Sequence, residues 1–91
     1  MKELLSNPQT SILDVRTAME FEMEHINGAK NIPVNEIQFR LDEIKNLSQP
    51  IVVYCLSGGR SAMAASILKQ AGINEVYNGG GISNIKHVLY N

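Results

Sequence analysis

Residues 51–61 read IVVYCLSGGRS and decide the fold. The first four are β-branched or aromatic and follow the turn sequence Ser48-Gln49-Pro50, which predicts a strand buried on both faces. Cys55 stands at the carboxyl end of this strand, and a glycine pair follows shortly after it. The Ala-rich segment 60–71 then predicts a helix that ends at Gly72. A buried strand that leads through a glycine loop into a helix indicates a parallel α/β sheet.

The segments before this stretch continue the alternation of strands and helices. Residues 11–15 predict a strand, and Thr17 with Glu20 predicts a capping box at the start of a helix. Four apolar residues recur at helical spacing and predict one helix over residues 34–46: Val34, Ile37, Leu41 and Ile44.

The segments after it complete the pattern. Residues 75–77 predict a last short strand, and the glycine triplet 79–81 predicts a turn. Four apolar residues then predict a closing helix: Ile82, Ile85, Val88 and Leu89. The expected fold is α/β, a small single domain over residues 1–91 with a central parallel β-sheet and helices on both faces.

Composition narrows the possible functions. Eight Lys and Arg residues oppose nine Asp and Glu residues, so the net charge of -1 favours neither nucleic acid nor membrane as a partner. No stretch approaches the roughly 20 apolar residues of a membrane span, and we expect a cytoplasmic monomer. The only cysteine cannot form an internal disulfide, and His25 and His87 lack metal-ligand spacing. We therefore expect no metal and no cofactor.

The loop after Cys55 has the features of an anion-binding site. Backbone N–H groups of a glycine loop and of the helix that follows can point toward one atom, and Arg60 adds a positive charge in the first turn. Such surroundings lower a cysteine pKa from about 8.5 toward roughly 3.5–7.5. No histidine stands near Cys55 in sequence to serve as a base. We therefore expect the amides and Arg60 to activate Cys55 as a nucleophile.

The loop 55–61, CLSGGRS, resembles the active-site loop of rhodanese domains, in which cysteine and arginine bracket four residues and Ser or Thr follows. Further motifs are similar to that family in the same order: residues 13–16, Glu20 with residues 25–29 and 31–33, and residues 76–82. The matches span residues 12–85. Glu24 and Ile85 depart from the family, which commonly has Gly and Trp at these positions.

The resemblance implies a small single rhodanese-like domain that transfers sulfur through a persulfide on Cys55. The loop residues that it assigns to substrate binding are Leu56, Ser57, Gly58, Gly59, Arg60 and Ser61. Cys55 would take sulfur from a sulfane donor such as thiosulfate and pass it to cyanide or a thiol, and the partners would be small molecules or a sulfur-relay protein. Apolar Leu56, where some thiosulfate-using relatives carry a basic residue, leaves the donor open. We expect Asp14 and Arg16 to hold each other in place.

Two other functions remain alternatives. Cysteine phosphatases and arsenate reductases also place a cysteine and an arginine around an anion, but with five intervening residues where this chain has four. The loop also lacks an Asp that would act as a general acid. A non-catalytic interaction module would be expected to lose Cys55 or Arg60, and both are present.

Overall fold

Four parallel strands form the sheet in the computed structural model, which describes residues 1–91. They are β1 (Ser11–Asp14), β2 (Lys30–Asn31), β3 (Ile51–Cys55) and β4 (Val76–Gly81), arranged in the order β2-β1-β3-β4. β3 pairs with both β1 and β4 and is buried at every position, which confirms the strand predicted from the apolar run. Cys55 is its last residue, at the carboxyl edge of the sheet.

Helices cover both faces of this sheet. They are α1 (Lys2–Ser6), α2 (Ala18–Met23), a 3-10 helix (Val34–Phe39), α3 (Leu41–Lys45), α4 (Gly59–Gln70) and α5 (Ile82–Tyr90). Because side chains alternate along a strand, Val53 and Cys55 join the core that contains residues of α3, α4 and the 3-10 helix. Val52 and Tyr54 join the opposite core beneath α1 and α5. The α/β fold with helices on both faces is confirmed, and none of its helices is long and apolar enough to cross a bilayer.

The single helix expected over residues 34–46 is wrong. The chain forms a 3-10 helix that ends at Phe39, and Arg40, with φ of -127° and ψ of 27°, separates it from α3, which begins at Leu41. The Arg40 guanidinium binds Glu36 on one side of this break and Glu43 on the other. The change of pitch still leaves Ile37 and Ile44 fully buried, so the apolar spacing was satisfied without a continuous helix. The short helix α1 was not anticipated.

The turn expected at the glycine triplet is also wrong, because residues 79–81 belong to β4. A Cβ on Gly79 would lie 2.7 Å from Ile85 Cδ1 and 2.8 Å from Val52 Cγ1. A Cβ on Gly81 would collide with the carbonyl oxygen of Leu56. These glycines therefore serve close packing, and the irregular register of β3 and β4 places Gly81 opposite Cys55.

A buried ion pair fixes α2 against the sheet. Arg16 Nη2 lies 2.7 Å from Asp14 Oδ2, and both side chains are almost completely buried. Arg16 Nη2 also donates to the carbonyl oxygen of Glu24 at the end of α2. The expectation that Asp14 and Arg16 hold each other is confirmed. The predicted capping box at the start of α2 is present too, so both ends of this helix are held.

Candidate active site

The sulfur of Cys55 lies at the centre of the loop that joins β3 to α4. The residue is 1% exposed, and its Sγ accepts hydrogen bonds from the Gly58 amide at 3.0 Å and from the Ser61 amide at 3.4 Å. The Ser61 hydroxyl oxygen also lies 3.4 Å from Sγ. Gly58 has a φ of 102°, a conformation that residues with a Cβ rarely adopt, and this turn keeps its amide close to the sulfur.

These contacts lower the pKa of the Cys55 thiol. Burial by itself would raise the pKa of the thiol, because the charged form loses hydration. Hydrogen bonds from the Ser61 side chain and from the amides of Ser61, Gly58 and Ser57 outweigh burial and lower the pKa to about 7. A substantial fraction of Cys55 is therefore thiolate at neutral pH, and the thiolate is the nucleophilic form.

Asn78, in β4, forms hydrogen bonds with the loop that follows Cys55. Its Oδ1 lies 2.6 Å from the Ser61 hydroxyl oxygen and accepts the Gly80 amide at 2.9 Å. Its Nδ2 donates to the carbonyl oxygen of Gly58. Asn78 thus contacts both residues that donate to the sulfur, a connection that sequence reasoning missed. The glycine triplet after Asn78 was a visible signal, but it suggested a turn and gave no indication of a partner in the loop.

Arg60 is held by a carboxylate from α2. Its Nη1 lies 2.7 Å from Glu20 Oε1, and its Nη2 lies 3.1 Å from Glu20 Oε2. This bidentate contact with Arg60, together with hydrogen bonds from Thr17, lowers the pKa of Glu20 to about 2. Sequence reasoning gave Glu20 a capping role and a place in a family motif, but it missed the contact with Arg60.

The structure brings part of the predicted loop to the sulfur and leaves part at its edge. Gly58 and Ser61 contact Sγ directly, and the Ser57 amide contributes to the low pKa of the thiol. The Leu56 side chain is exposed, and Gly59 begins α4.

Two surface depressions are lined by residues outside the loop that holds Cys55. One of about 460 Å³ is lined by residues 38–43 and Lys45, and another of about 430 Å³ lies along α4 beside Asn78. Cys55 lines neither of them. No group of three or more His, Cys, Asp or Glu side chains is placed to hold a metal ion.

The family follows from comparison of the whole chain. Residues 1–87 match the family described as the rhodanese-like domain. The chain belongs to the rhodanese family. The rhodanese motifs at residues 13–16, 25–29, 55–61 and 76–82 all lie inside the matched region.

Individual relatives agree with this assignment. The chain is 35% identical to the thiosulfate sulfurtransferase PspE of Escherichia coli, over 80% of this chain and 71% of PspE. It is 40% identical to the uncharacterized protein YqhL of Bacillus subtilis, over 77% of this chain but only 55% of YqhL. A solved E. coli rhodanese with anions superposes with a TM-score of 0.75 at 33% identity, covering 82% of this chain and 89% of that one. The chain thus belongs to a family whose members include sulfurtransferases.

Proposed function

We propose that this rhodanese moves sulfane sulfur from a donor such as thiosulfate to a thiophilic acceptor such as cyanide or a thiol. The observation that carries the proposal is the Cys55 thiol, which has a pKa of about 7 and accepts hydrogen bonds from Gly58 and Ser61. PspE, a thiosulfate sulfurtransferase, supports the same reaction. A small-molecule donor and acceptor, or a sulfur-relay protein, would be the partners.

The reaction consists of two displacements at sulfur. The Cys55 thiolate attacks the outer sulfur of thiosulfate, the S–S bond of the donor breaks, and sulfite leaves with the bonding electron pair. The product is an anionic persulfide on Cys55. Cyanide then attacks the outer sulfur, which leaves as thiocyanate, and the electron pair of the broken S–S bond returns to Cys55. No external oxidant or reductant is needed.

The loop stabilises an anion before and after transfer. Donors that are already positioned around Sγ, as the amides and the Ser61 hydroxyl are, need little reorganisation during the reaction. The proposed catalytic group is Cys55, and the residues proposed to bind substrate are those of segment 56–61. A lone reactive thiol also persists best in a reducing compartment, which supports a cytoplasmic location.

The phosphatase alternative has less support from the geometry. Phosphoryl transfer requires cationic groups on the oxygens of the phosphoryl group, and here the Arg60 guanidinium is engaged by Glu20. An interaction module without catalysis would not need a thiol whose pKa is lowered against the effect of burial.

Intact-mass spectrometry after incubation with several donors tests the proposal. We expect the protein to gain the mass of one sulfur atom, to lose it on addition of cyanide with formation of thiocyanate, and to release no phosphate from an aryl phosphate. Phosphate release without any sulfur adduct would reverse the assignment. The absence of an adduct with every donor, in a protein that is folded, would refute sulfur transfer.

A further inference from the structure

Glu20 balances the charge of Arg60, a residue of the loop proposed to bind the sulfur donor. Both terminal nitrogens of Arg60 contact Glu20, at 2.7 and 3.1 Å. Arg16 also acts electrostatically on Arg60, but Arg16 itself forms a buried ion pair with Asp14. Arg60 directly precedes Ser61, whose amide donates to Sγ, so the ion pair lies in the first turn of the helix that contacts the sulfur. A donor that binds Arg60 therefore also comes close to the Glu20 carboxylate.

Glu20 is held in this position independently of Arg60. Its Oε1 accepts hydrogen bonds from the Thr17 amide at 3.0 Å and from the Thr17 hydroxyl at 3.1 Å. The far end of the same helix is held by Arg16, which donates to the carbonyl oxygen of Glu24. Because Thr17 holds the Glu20 carboxylate and Arg16 holds the far end of α2, the negative charge of Glu20 stays beside the site.

We propose that Glu20 selects sulfur donors by charge, disfavouring dianions such as thiosulfate relative to donors that carry one negative charge or none. The inference rests on the proposed sulfur transfer and names the donor class that suits it. A dianion has to compete with the Glu20 carboxylate for the two Arg60 nitrogens, and it is repelled by that carboxylate while it does so. Because Coulomb energy is proportional to charge, the penalty on a dianion is about twice that on a monoanion.

Glu20→Gln separates this effect from the helix cap. Glutamine also serves at the third position of a capping box, so α2 keeps its start while the charge is lost. Glu24→Gln is the matched control, because it removes the same charge from a neighbouring position and breaks an ion pair with Lys86 that lies outside the site. Thermal unfolding of both variants checks that they are folded.

Two donors of similar shape report the charge effect. Thiosulfate carries two negative charges and releases sulfite, whereas methanethiosulfonate carries one and releases methanesulfinate. In each case the outer sulfur passes to Cys55. We expect Glu20→Gln to raise kcat/KM on the order of tenfold for thiosulfate, mainly through KM, and about threefold for methanethiosulfonate. Glu24→Gln should change neither by as much as twofold. Equal changes for the two donors, or a decrease for both, would overturn the proposal.

Alkylation of Cys55 tests the electrostatic effect of Glu20 on anionic reagents without requiring sulfur transfer. Iodoacetate is an anion and iodoacetamide is neutral, and both modify the thiolate. We expect Glu20→Gln to raise the ratio of their rates, iodoacetate over iodoacetamide, about threefold, and added salt to reduce this gain. An unchanged ratio refutes charge selection even if sulfur transfer is observed. A raised ratio with no sulfur adduct from any donor would instead leave the charge effect in place and refute the proposed function.

Discussion

Ser61 contacts the sulfur of Cys55 twice, through its amide nitrogen and through its hydroxyl oxygen, each 3.4 Å from Sγ. The same hydroxyl lies 2.6 Å from Asn78 Oδ1. Since a hydroxyl has one proton, it donates to only one acceptor at a time. The sulfur, the amide oxygen of Asn78 and the Gly58 carbonyl oxygen, 3.1 Å away, therefore compete for it, and ionisation of the thiol favours the sulfur.

Ser61→Ala should raise the pKa of Cys55 above its value of about 7. The Ser61 side chain is the largest of the hydrogen-bond contributions that lower this pKa, and burial would remain to raise it. The rate of alkylation with iodoacetamide, measured from pH 5 to 10, should fall several-fold at acidic pH and converge with wild type at alkaline pH. Ser57→Ala keeps the amide that contributes to the pKa and should leave the curve in place. A curve for Ser61→Ala that overlays wild type would contradict the prediction.

Cys55→Ser should abolish persulfide formation without unfolding the protein. The substitution is nearly isosteric, and a hydroxyl can accept the amide hydrogen bonds that Sγ now receives from Gly58 and Ser61. A hydroxyl is, however, a far weaker nucleophile at its free pKa. Intact-mass spectrometry with thiosulfate should detect no added sulfur, and thermal unfolding should remain cooperative. Sulfur transfer by the folded variant would show that Cys55 is not the carrier.

The Glu20–Arg60 pair should stabilise the fold only above acidic pH. The pKa of Glu20 is about 2 in the folded protein against an ordinary value of 4.5, so folding favours the ionised form. Its contribution is complete above about pH 4.5 and is lost as the pH falls toward 2. The difference in Tm between wild type and Glu20→Gln should therefore be largest at neutral pH and shrink below pH 4.5, because protonated Glu20 resembles glutamine. A difference that is constant with pH would contradict this assignment.

Gly81→Ala should displace the loop around the sulfur. A Cβ at this position would collide with the carbonyl oxygen of Leu56, which follows Cys55 directly. We expect a loss of about 1–3 kcal/mol in the free energy of unfolding and a marked reduction in sulfur transfer. Gly59→Ala is the stability control, because its Cβ would meet nothing within 4 Å and would join the first turn of a helix. If urea unfolding gives equal stabilities for the two variants, the close approach of Gly81 is not required.

Asp14→Asn should destabilise the fold while leaving Cys55 chemistry intact. The substitution leaves the buried Arg16 guanidinium without its carboxylate, a loss of about 3–5 kcal/mol when one partner of a buried pair is removed. Glu36→Gln removes a carboxylate from a partly exposed pair with Arg40 and should cost no more than about 0.5 kcal/mol. Urea unfolding measures both. Equal free energies of unfolding for the two variants would show that the Asp14–Arg16 pair does not anchor α2.

Much of the fold is visible in local sequence signals. The apolar run 51–54 predicts a doubly buried strand because only a central strand hides every side chain, and its position before a glycine loop places Cys55 at the edge of the sheet. The capping box at Thr17 involves residues three apart, so its hydrogen bonds follow from the identity of two residues within one helical turn. Helical spacing failed at Arg40 because a 3-10 helix followed by an α-helix buries the same Ile37 and Ile44 as one continuous helix.

By itself, the sequence determined that a lone cysteine ends a buried strand before a glycine loop and a helix whose first turn contains Arg60 and Ser61. Only the tertiary structure decided which groups surround it. Glu20 and Asn78 reach the loop from 40 and 17 residues away from their partners Arg60 and Ser61. Gly81 approaches Leu56 through an irregularity in strand register. Such contacts depend on how whole elements pack, because ion pairs and close backbone approaches between distant segments leave no periodic trace in the chain.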